Sequence, residues 1–350
     1  MKFFIKTFGC IQNTADSERI KAFYWNKGDK ETKNWKETDL VIINTCIIRE
    51  SAENRVYGLI NEIDKWNKKN NKKIKIIVTG CLAGLANEDK SGKKLRQLKR
   101  DFPEVSKFLP IEKISLKIEP MRNKKTAALI TISNGCNNFC SYCIVPYAKG
   151  REKSRKFEEI IKEVDEAIKN GFKEVMLIGQ NVNSYGMDIN NDKSLFPKLL
   201  EEVAKKDLEK ISFVSSNPWD FSDELIETIA KYKNIDRLLH LPFQSGDDEI
   251  LKKMNRGYTA KEYLDLVKKI RNKVKDVRFS TDIIIGFPTE DEKAFQNTVK
   301  LCKKAGFEIG YINKYSPRRG TVSAKIYKDE IPMNEKKRRW KILDELINRK

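Results

Sequence analysis

A chain of 350 residues with 39 % hydrophobic content has enough apolar material for two folded domains. Its 70 Lys+Arg against 50 Asp+Glu give a net charge of +20, which favours polyanions such as RNA as partners or describes a lysine-rich solvated surface. No stretch approaches the roughly 20 apolar residues of a membrane span, and seven cysteines without a secretion signal argue for reduced thiols in a cytoplasmic protein rather than disulfides.

The first three predicted strands share one pattern. FFIKTFGC ends at Cys10, DLVIINTC at Cys46 and IKIIVTGC at Cys81. Helical stretches follow the first two, over 16–25 and 51–67. Alternating strands and helices make a parallel sheet, whose strands all end along one edge, so three cysteines distant in sequence are expected to converge there. The basic stretch 90–125, ending in EPMRNKKT, reads as the remainder of this domain plus a linker.

A second series of strands is predicted at 127–133, 174–179, 211–216, 236–242, 277–286 and 308–315, with helical patterns between them. Six β/α units are two short of a closed barrel, leaving an open side for a large substrate. The end of the chain, 334–350, reads as a helix with Trp340, Leu343 and Ile347 on one stripe and seven basic against three acidic residues around it.

NGCNNFCSYC, immediately after the first strand of that series, places Cys136, Cys140 and Cys143 in the spacing Cx3Cx2C. Full ligation of a four-iron cluster takes four thiolates, so three leave one iron open to a small molecule. A closed zinc site wants four nitrogen or sulfur ligands, and His240 is the single histidine of the sequence. His240 itself reads as a structural side chain rather than a base, and Cys302, in TVKLCKKAGF, as core.

The loop resembles the signature of the radical S-adenosylmethionine (SAM) enzymes. The contexts of Cys10, Cys46 and Cys81 (TFGCIQNTADSE, NTCIIRESAENRVYG, VTGCLAG) resemble the amino-terminal domain of the methylthiotransferases in that superfamily. LIGQNVNSYG, IVPYAKGREKSR, HLPFQSGDDEILKKMNRGYT and TDIIIGFPTE are most similar to the MiaB-type tRNA enzymes, over about residues 3–330. The resemblance implies an α/β chain: a flavodoxin-like parallel sheet (1–122) with a second 4Fe-4S cluster, a partial (β/α)6 radical SAM barrel (123–330) and a basic helical tail (331–350). The family is expected to continue into a carboxy-terminal TRAM β-barrel, which does not fit within these residues: either the sequence is truncated, or the tail and the barrel rim carry the RNA alone. Gln12 and Asn217 stand where the family is expected to have methionine and histidine.

The implied activity is methylthiolation at C2 of a prenylated adenosine beside the tRNA anticodon. Cys136, Cys140 and Cys143 hold the SAM-binding cluster, and Cys10, Cys46 and Cys81 the sulfur-donating one. One SAM serves the radical and another methylates. An electron donor such as flavodoxin or ferredoxin is implied, the sulfur source is unknown, and a monomer is expected. Alternative substrates are threonylcarbamoyl-adenosine or a ribosomal protein aspartate, and a non-catalytic metal- and RNA-binding protein is the alternative of another class.

For SAM, Gln180 and Asn181 offer polar contacts or ordinary loop capping. Ile284, Gly286 and Phe287 offer an adenine contact or strand core. Gln244 and Ser245 qualify by position at the end of a strand. Arg151, Lys153 and Arg155 are candidate phosphate contacts or a solvated helix entry.

Overall fold

The computed structural model describes residues 1–47, 50–114, 118–122 and 127–349. The stretch expected to link the domains lies partly outside them. The chain divides into two compact units, Met1–Lys125 with Ile144–Arg151, and Thr126–Cys143 with Glu152–Lys350. Among the described residues no helix is long and apolar enough to cross a membrane.

The first unit contains, in chain order, β1 (Lys2–Thr7), α1 (Ile11–Trp25), β2 (Lys30–Glu31), β3 (Leu40–Thr45), α2 (Glu50–Asn70), β4 (Lys75–Gly80), α3 (Cys81–Glu88), α4 (Lys93–Asp101) and β5 (Val105–Phe108). The five strands are parallel in the order β2-β1-β3-β4-β5. This is the flavodoxin-like order, in which the connections reverse direction between β1 and β3. β3 reads LVIINT and is buried at every residue, as a central strand covered on both faces must be. Phe3, Ile20 and Ile42 pack on one face, and Val41, Ile43, Val56 and Ile60 on the other. A short helix, α5 (Val145–Lys149), belongs to this unit and lies on α3. A Cβ at Gly84 of α3 would stand 2.2 Å from the Ala148 carbonyl oxygen, so only glycine permits that approach.

The second unit begins with β6 (Ala128–Thr131) and β7 (Ser133–Asn134), and resumes with β8 (Lys153–Ser154), α6 (Phe157–Lys169), β9 (Glu174–Ile178), α7 (Phe196–Ala204), β10 (Lys210–Phe213) and α8 (Asp223–Lys231). It continues through β11 (Leu238–His240), α9 (Asp248–Lys253), α10 (Ala260–Lys273), β12 (Arg278–Ile285), α11 (Glu292–Ala305), β13 (Ile309–Lys314), α12 (Val322–Ile326) and α13 (Met333–Ile347). β6, β9 and β10 pair in parallel, as do β11, β12 and β13, and a parallel bridge from Ile211 to Ile235 joins the two sets. All six expected barrel strands are therefore present and adjacent in chain order. No pairing joins β6 to β13 among the described residues, so the barrel is partial.

Local signals explain the helices around it. α6 buries Ile160, Val164 and Ala167 at helical spacing and carries Glu158 and Glu159 in its first turn, where the helix dipole favours acids. Thr259 and Glu262 form a reciprocal capping box at the start of α10. α11 starts on the Asp291 carboxylate and stops at Gly306, which is left-handed (φ 59°).

α13 forms as the apolar stripe predicts, with Leu343 and Ile347 in the main core and Trp340 donating to the Ile312 carbonyl at 3.1 Å. Its basic residues are not all solvated, however. Lys336 is 1 % exposed, and its ammonium donates to the Tyr315 carbonyl and to Asp329. Arg339 is paired with a fully buried carboxylate, Glu290.

Candidate active site

In the first unit the cysteines follow three neighbouring strands. Thr7 is in register with Asn44, and Thr45 with Gly80, so Cys46 and Cys81 both leave directly from paired residues. Cys10 caps α1 and Cys81 opens α3, two helix amino termini whose dipoles favour thiolates. Buried amides fix the turns. Asn13 donates to Asn44 Oδ1 and to the Thr45 carbonyl, both at 3.1 Å, and accepts from the Cys10 backbone N–H at 3.2 Å. Thr45 donates to the Thr79 carbonyl at 2.6 Å and accepts from the Leu82 N–H at 3.1 Å. The three cysteine turns thus share one hydrogen-bonded network.

The same turns leave no spare space. A Cβ at Gly9 would fall 2.2 Å from Asn13 Oδ1 and 2.8 Å from Cys46 Cβ, and one at Gly80 would fall 2.5 Å from the Thr45 carbonyl oxygen. Burial pushes the Cys81 thiol up to about 12, Lys149 pulls it back, and Cys46, Cys10 and Asp16 raise it further. Among the described residues no group of three His, Cys, Asp or Glu is arranged around a single ion. A four-iron cluster spreads its thiolates over separate irons, and the donor set of three thiols at one sheet edge fits it.

In the second unit the loop 135–143 hangs from the antiparallel pair β7–β8. Gln180 accepts the Gly135 N–H at 2.7 Å, so this expected SAM contact fixes the start of the cysteine loop. Phe139 is left-handed (φ 37°), and its carbonyl accepts from Asn255 at 3.1 Å. The Ser141 N–H donates to the Met254 carbonyl, and its hydroxyl to Lys253. Arg256 is the residue that sequence reasoning missed. It is 8 % exposed, donates to Cys140 Sγ at 3.4 Å and to the Pro242 carbonyl at 3.1 Å, and lies over the Trp219 ring. Burial works against its charge, but Tyr142, Tyr258 and Cys140 raise its pKa overall. A fixed guanidinium beside a thiolate ligand offsets the negative charge of a sulfur-held cluster. Burial likewise pushes Cys136 up to about 11, with Cys140 and Glu152 adding to it and Arg256 opposing.

Asn181 donates to Asp220 at 2.5 Å and accepts the Asn217 N–H at 3.2 Å, and Asn183 donates to the Asn217 carbonyl. The backbone of Asn217, where histidine was expected, thus ties the ends of β9 and β10 together. Asn183 Oδ1 and Ser216 Oγ, both in residues 1 % exposed, have no partner. Buried polar atoms left unpaired at strand carboxyl ends suit a polar ligand such as SAM.

Gln244 is left-handed (φ 67°) and its backbone brackets β12 through Asp282 and Ile284. Ser245 is buried and accepts from the Asp247 N–H at 3.3 Å. Ile284 lies on β12 beside a small cluster containing Phe287, which is fully buried edge-on to Tyr315. Gly286 (φ 66°) donates to Glu290 at 2.6 Å and is covered on its Cβ side by Lys336.

Of the three candidate phosphate contacts, Arg151 is exposed in the first unit and Lys153 is exposed on β8. Arg155 turns inward, donating to the Thr131 carbonyl at 2.7 Å and to Glu163 at 2.6 Å, so its charge is compensated inside the barrel. His240 meets Ser280 and Asp282 with its two ring nitrogens, and Cys302 is buried core, both as expected.

Glu152 was also missed in the sequence. Burial raises it to about 7, with the Ser184 hydroxyl opposing and Asp188 reinforcing. Below its unfolded pKa of about 4.5 both states hold the proton; between there and about 7 only the folded state does, so stability falls as pH rises through that window. Glu152→Gln, which keeps an acceptor for Ser184, is expected to gain about 2 kcal/mol at pH 8 and nothing at pH 4 by urea denaturation. A gain independent of pH contradicts this account.

A family described as the radical SAM superfamily matches residues 130–302, and one described as uncharacterized protein family UPF0004 matches residues 2–100. A tRNA-2-methylthio-N(6)-dimethylallyladenosine synthase of Thermotoga petrophila is 44 % identical over 375 aligned residues, covering 100 % of this chain and 83 % of that protein. The chain belongs to the tRNA-2-methylthio-N(6)-dimethylallyladenosine synthase family. Synthases of the same name from Thermosipho africanus and Clostridium perfringens are 43 % and 40 % identical, covering 98 % and 99 % of this chain and 82 % of each relative. Among solved structures, the radical SAM methyltransferase TsrM from Kitasatospora setae has a TM-score of 0.61 at 14 % identity, over 92 % of this chain and 77 % of that one. As a radical SAM enzyme family, the synthases imply a 4Fe-4S cluster and SAM.

Proposed function

We propose that this chain methylthiolates C2 of N(6)-isopentenyladenosine beside the anticodon of tRNA, spending one SAM on radical formation and another as methyl donor. The observation that carries it is the pair of three-cysteine sets, each without a fourth thiol, in a chain 44 % identical along its whole length to a synthase of that name. When bound, the clusters and SAM supply the electron, the carbon radical that takes the C2 hydrogen, and the sulfur.

The protein's share is holding and shielding. Cys136, Cys140 and Cys143 hold the SAM-binding cluster, with Arg256 orienting Cys140. Cys10, Cys46 and Cys81 hold a second cluster on the network of Asn13, Asn44 and Thr45. Asn181, Asn183 and Ser216 line the polar strand ends for SAM, with Gln244, Ser245, Ile284, Gly286 and Phe287 shaping the far side, and Gln180 fixes the cysteine loop. Arg151 and Lys153 remain the candidate phosphate contacts. A monomer working in the cytoplasm with flavodoxin or ferredoxin as electron donor completes the proposal.

The test is anaerobic reconstitution, incubation with SAM, reductant and prenylated tRNA, then nucleoside mass spectrometry. A mass gain of one methylthio group on the prenylated adenosine is expected. Modification of threonylcarbamoyl-adenosine or of a ribosomal protein aspartate instead, or zinc without acid-labile sulfide, overturns it.

A further inference from the structure

We propose that a groove on the first unit, beside β1, binds an unpaired nucleotide of the tRNA, an inference that rests on the substrate class proposed above. The groove encloses about 610 Å³, within the ~300–1,000 Å³ range of small-ligand sites. Phe4 and Lys6 on one face of β1, with Phe8 just past its end, form the floor. Trp35 and the α2 residues Arg55, Gly58 and Leu59 form its walls.

Rings and cations alternate along it. The Lys6 ammonium and the Arg55 guanidinium each stand 5.7 Å from the Phe8 ring centre. Aromatic platforms with flanking cations stack bases and meet phosphates. The lining holds two cations, Lys6 and Arg55, and one acid, Glu62, in a chain of net charge +20, a balance that suits a polyanion. The floor also ends at Phe8, two residues before Cys10, so the groove leads away from the cysteine edge itself.

Gly58 supplies an independent argument. Glycine inside a helix costs about 1 kcal/mol relative to alanine. Here neither conformation nor crowding asks for it: its φ is not positive, and a Cβ would meet nothing within 4 Å. What the missing side chain preserves is the open wall of the groove.

A Cβ at Gly58 meets nothing within 4 Å, so Gly58→Leu extends a side chain from the groove wall and places a better helix former in the helix. The reconstituted chain and this variant are titrated with a fluorescently labelled anticodon stem-loop carrying the prenylated adenosine. Affinity is expected to fall roughly tenfold, with a melting temperature no lower than that of the parent. Lys6→Glu is expected to weaken binding and to reduce the slope of log affinity against log salt by about 1. Parent-like affinity in both variants overturns the groove while leaving methylthiolation intact if the parent still modifies tRNA. A parent that neither binds nor modifies any tRNA overturns both. Parent-like RNA affinity with loss of flavodoxin-driven turnover in Gly58→Leu assigns the groove to a protein and also overturns it.

Discussion

Replacing Cys140 by alanine is expected to lower the iron of the reconstituted chain from about eight to about four per molecule and to reduce release of 5′-deoxyadenosine from SAM to background. Neither the seventh cysteine nor the histidine stands in reserve. Cys302, the seventh cysteine, is 3 % exposed inside α11, and burial pushes its thiol up to about 12. Both nitrogens of His240 are already engaged by Ser280 and Asp282. The loop around Cys140 is anchored independently, through Gln180, Asn255 and the Ser141 bonds to α9, so the variant keeps its fold and loses its chemistry. Cys81→Ala should lose a comparable share of iron but still cleave SAM, ending only the formation of methylthiolated nucleoside. Equal loss of both activities in both variants contradicts the division of labour between the two cysteine sets.

Arg339→Ala is expected to cost about 3–5 kcal/mol of stability, the usual range for stranding a buried charge. Glu290 is fully buried and accepts from Arg339 at 2.7 Å and from the Gly286 N–H at 2.6 Å. Burial already raises its pKa despite Gly286 and Arg339. Without the guanidinium the carboxyl is driven further toward its neutral form. The deficit should therefore shrink as pH falls and Glu290 takes up a proton, since the folded state holds that proton more tightly than the unfolded chain. Urea denaturation at pH 8 and pH 5 reads both. Arg339→Ala with Glu290→Gln should recover much of the loss. A deficit below 1 kcal/mol, or one unchanged with pH, refutes the role assigned to this pair.

Six barrel strands and three cysteine-ending strands were legible because each is an apolar, β-branched run closed by a turn residue, and strand ends in parallel sheets fall on one edge. The two-residue β2 and the four-residue β5 were not, because neither is long enough to show a period. The stretch 334–350 reads as a basic tail available to RNA, yet Lys336 and Arg339 are internal struts whose partners, Asp329 and Glu290, lie outside that stretch. Arg155 shows the same limit: the acid it pairs with, Glu163, is on the following helix. Arg256 stands 116 residues from Cys140, and no local pattern distinguishes an arginine that will be buried against a distant sulfur. Asn13 and Asn44 did carry a signal, as amides at the tightest points of two cysteine turns, but which carbonyls they serve is decided by sheet order.

Ile144–Arg151 is folded with the amino-terminal body although the residues on both sides of it are not. Ile144 and Ala148 help to fill the apolar layer of Val41, Val78 and Leu82. Fragments made by cutting near residue 125 will therefore be incomplete: the shorter would expose that layer and aggregate, and the longer would carry an orphan helix. Gene-level shuffling of such a module requires two exchanges rather than one.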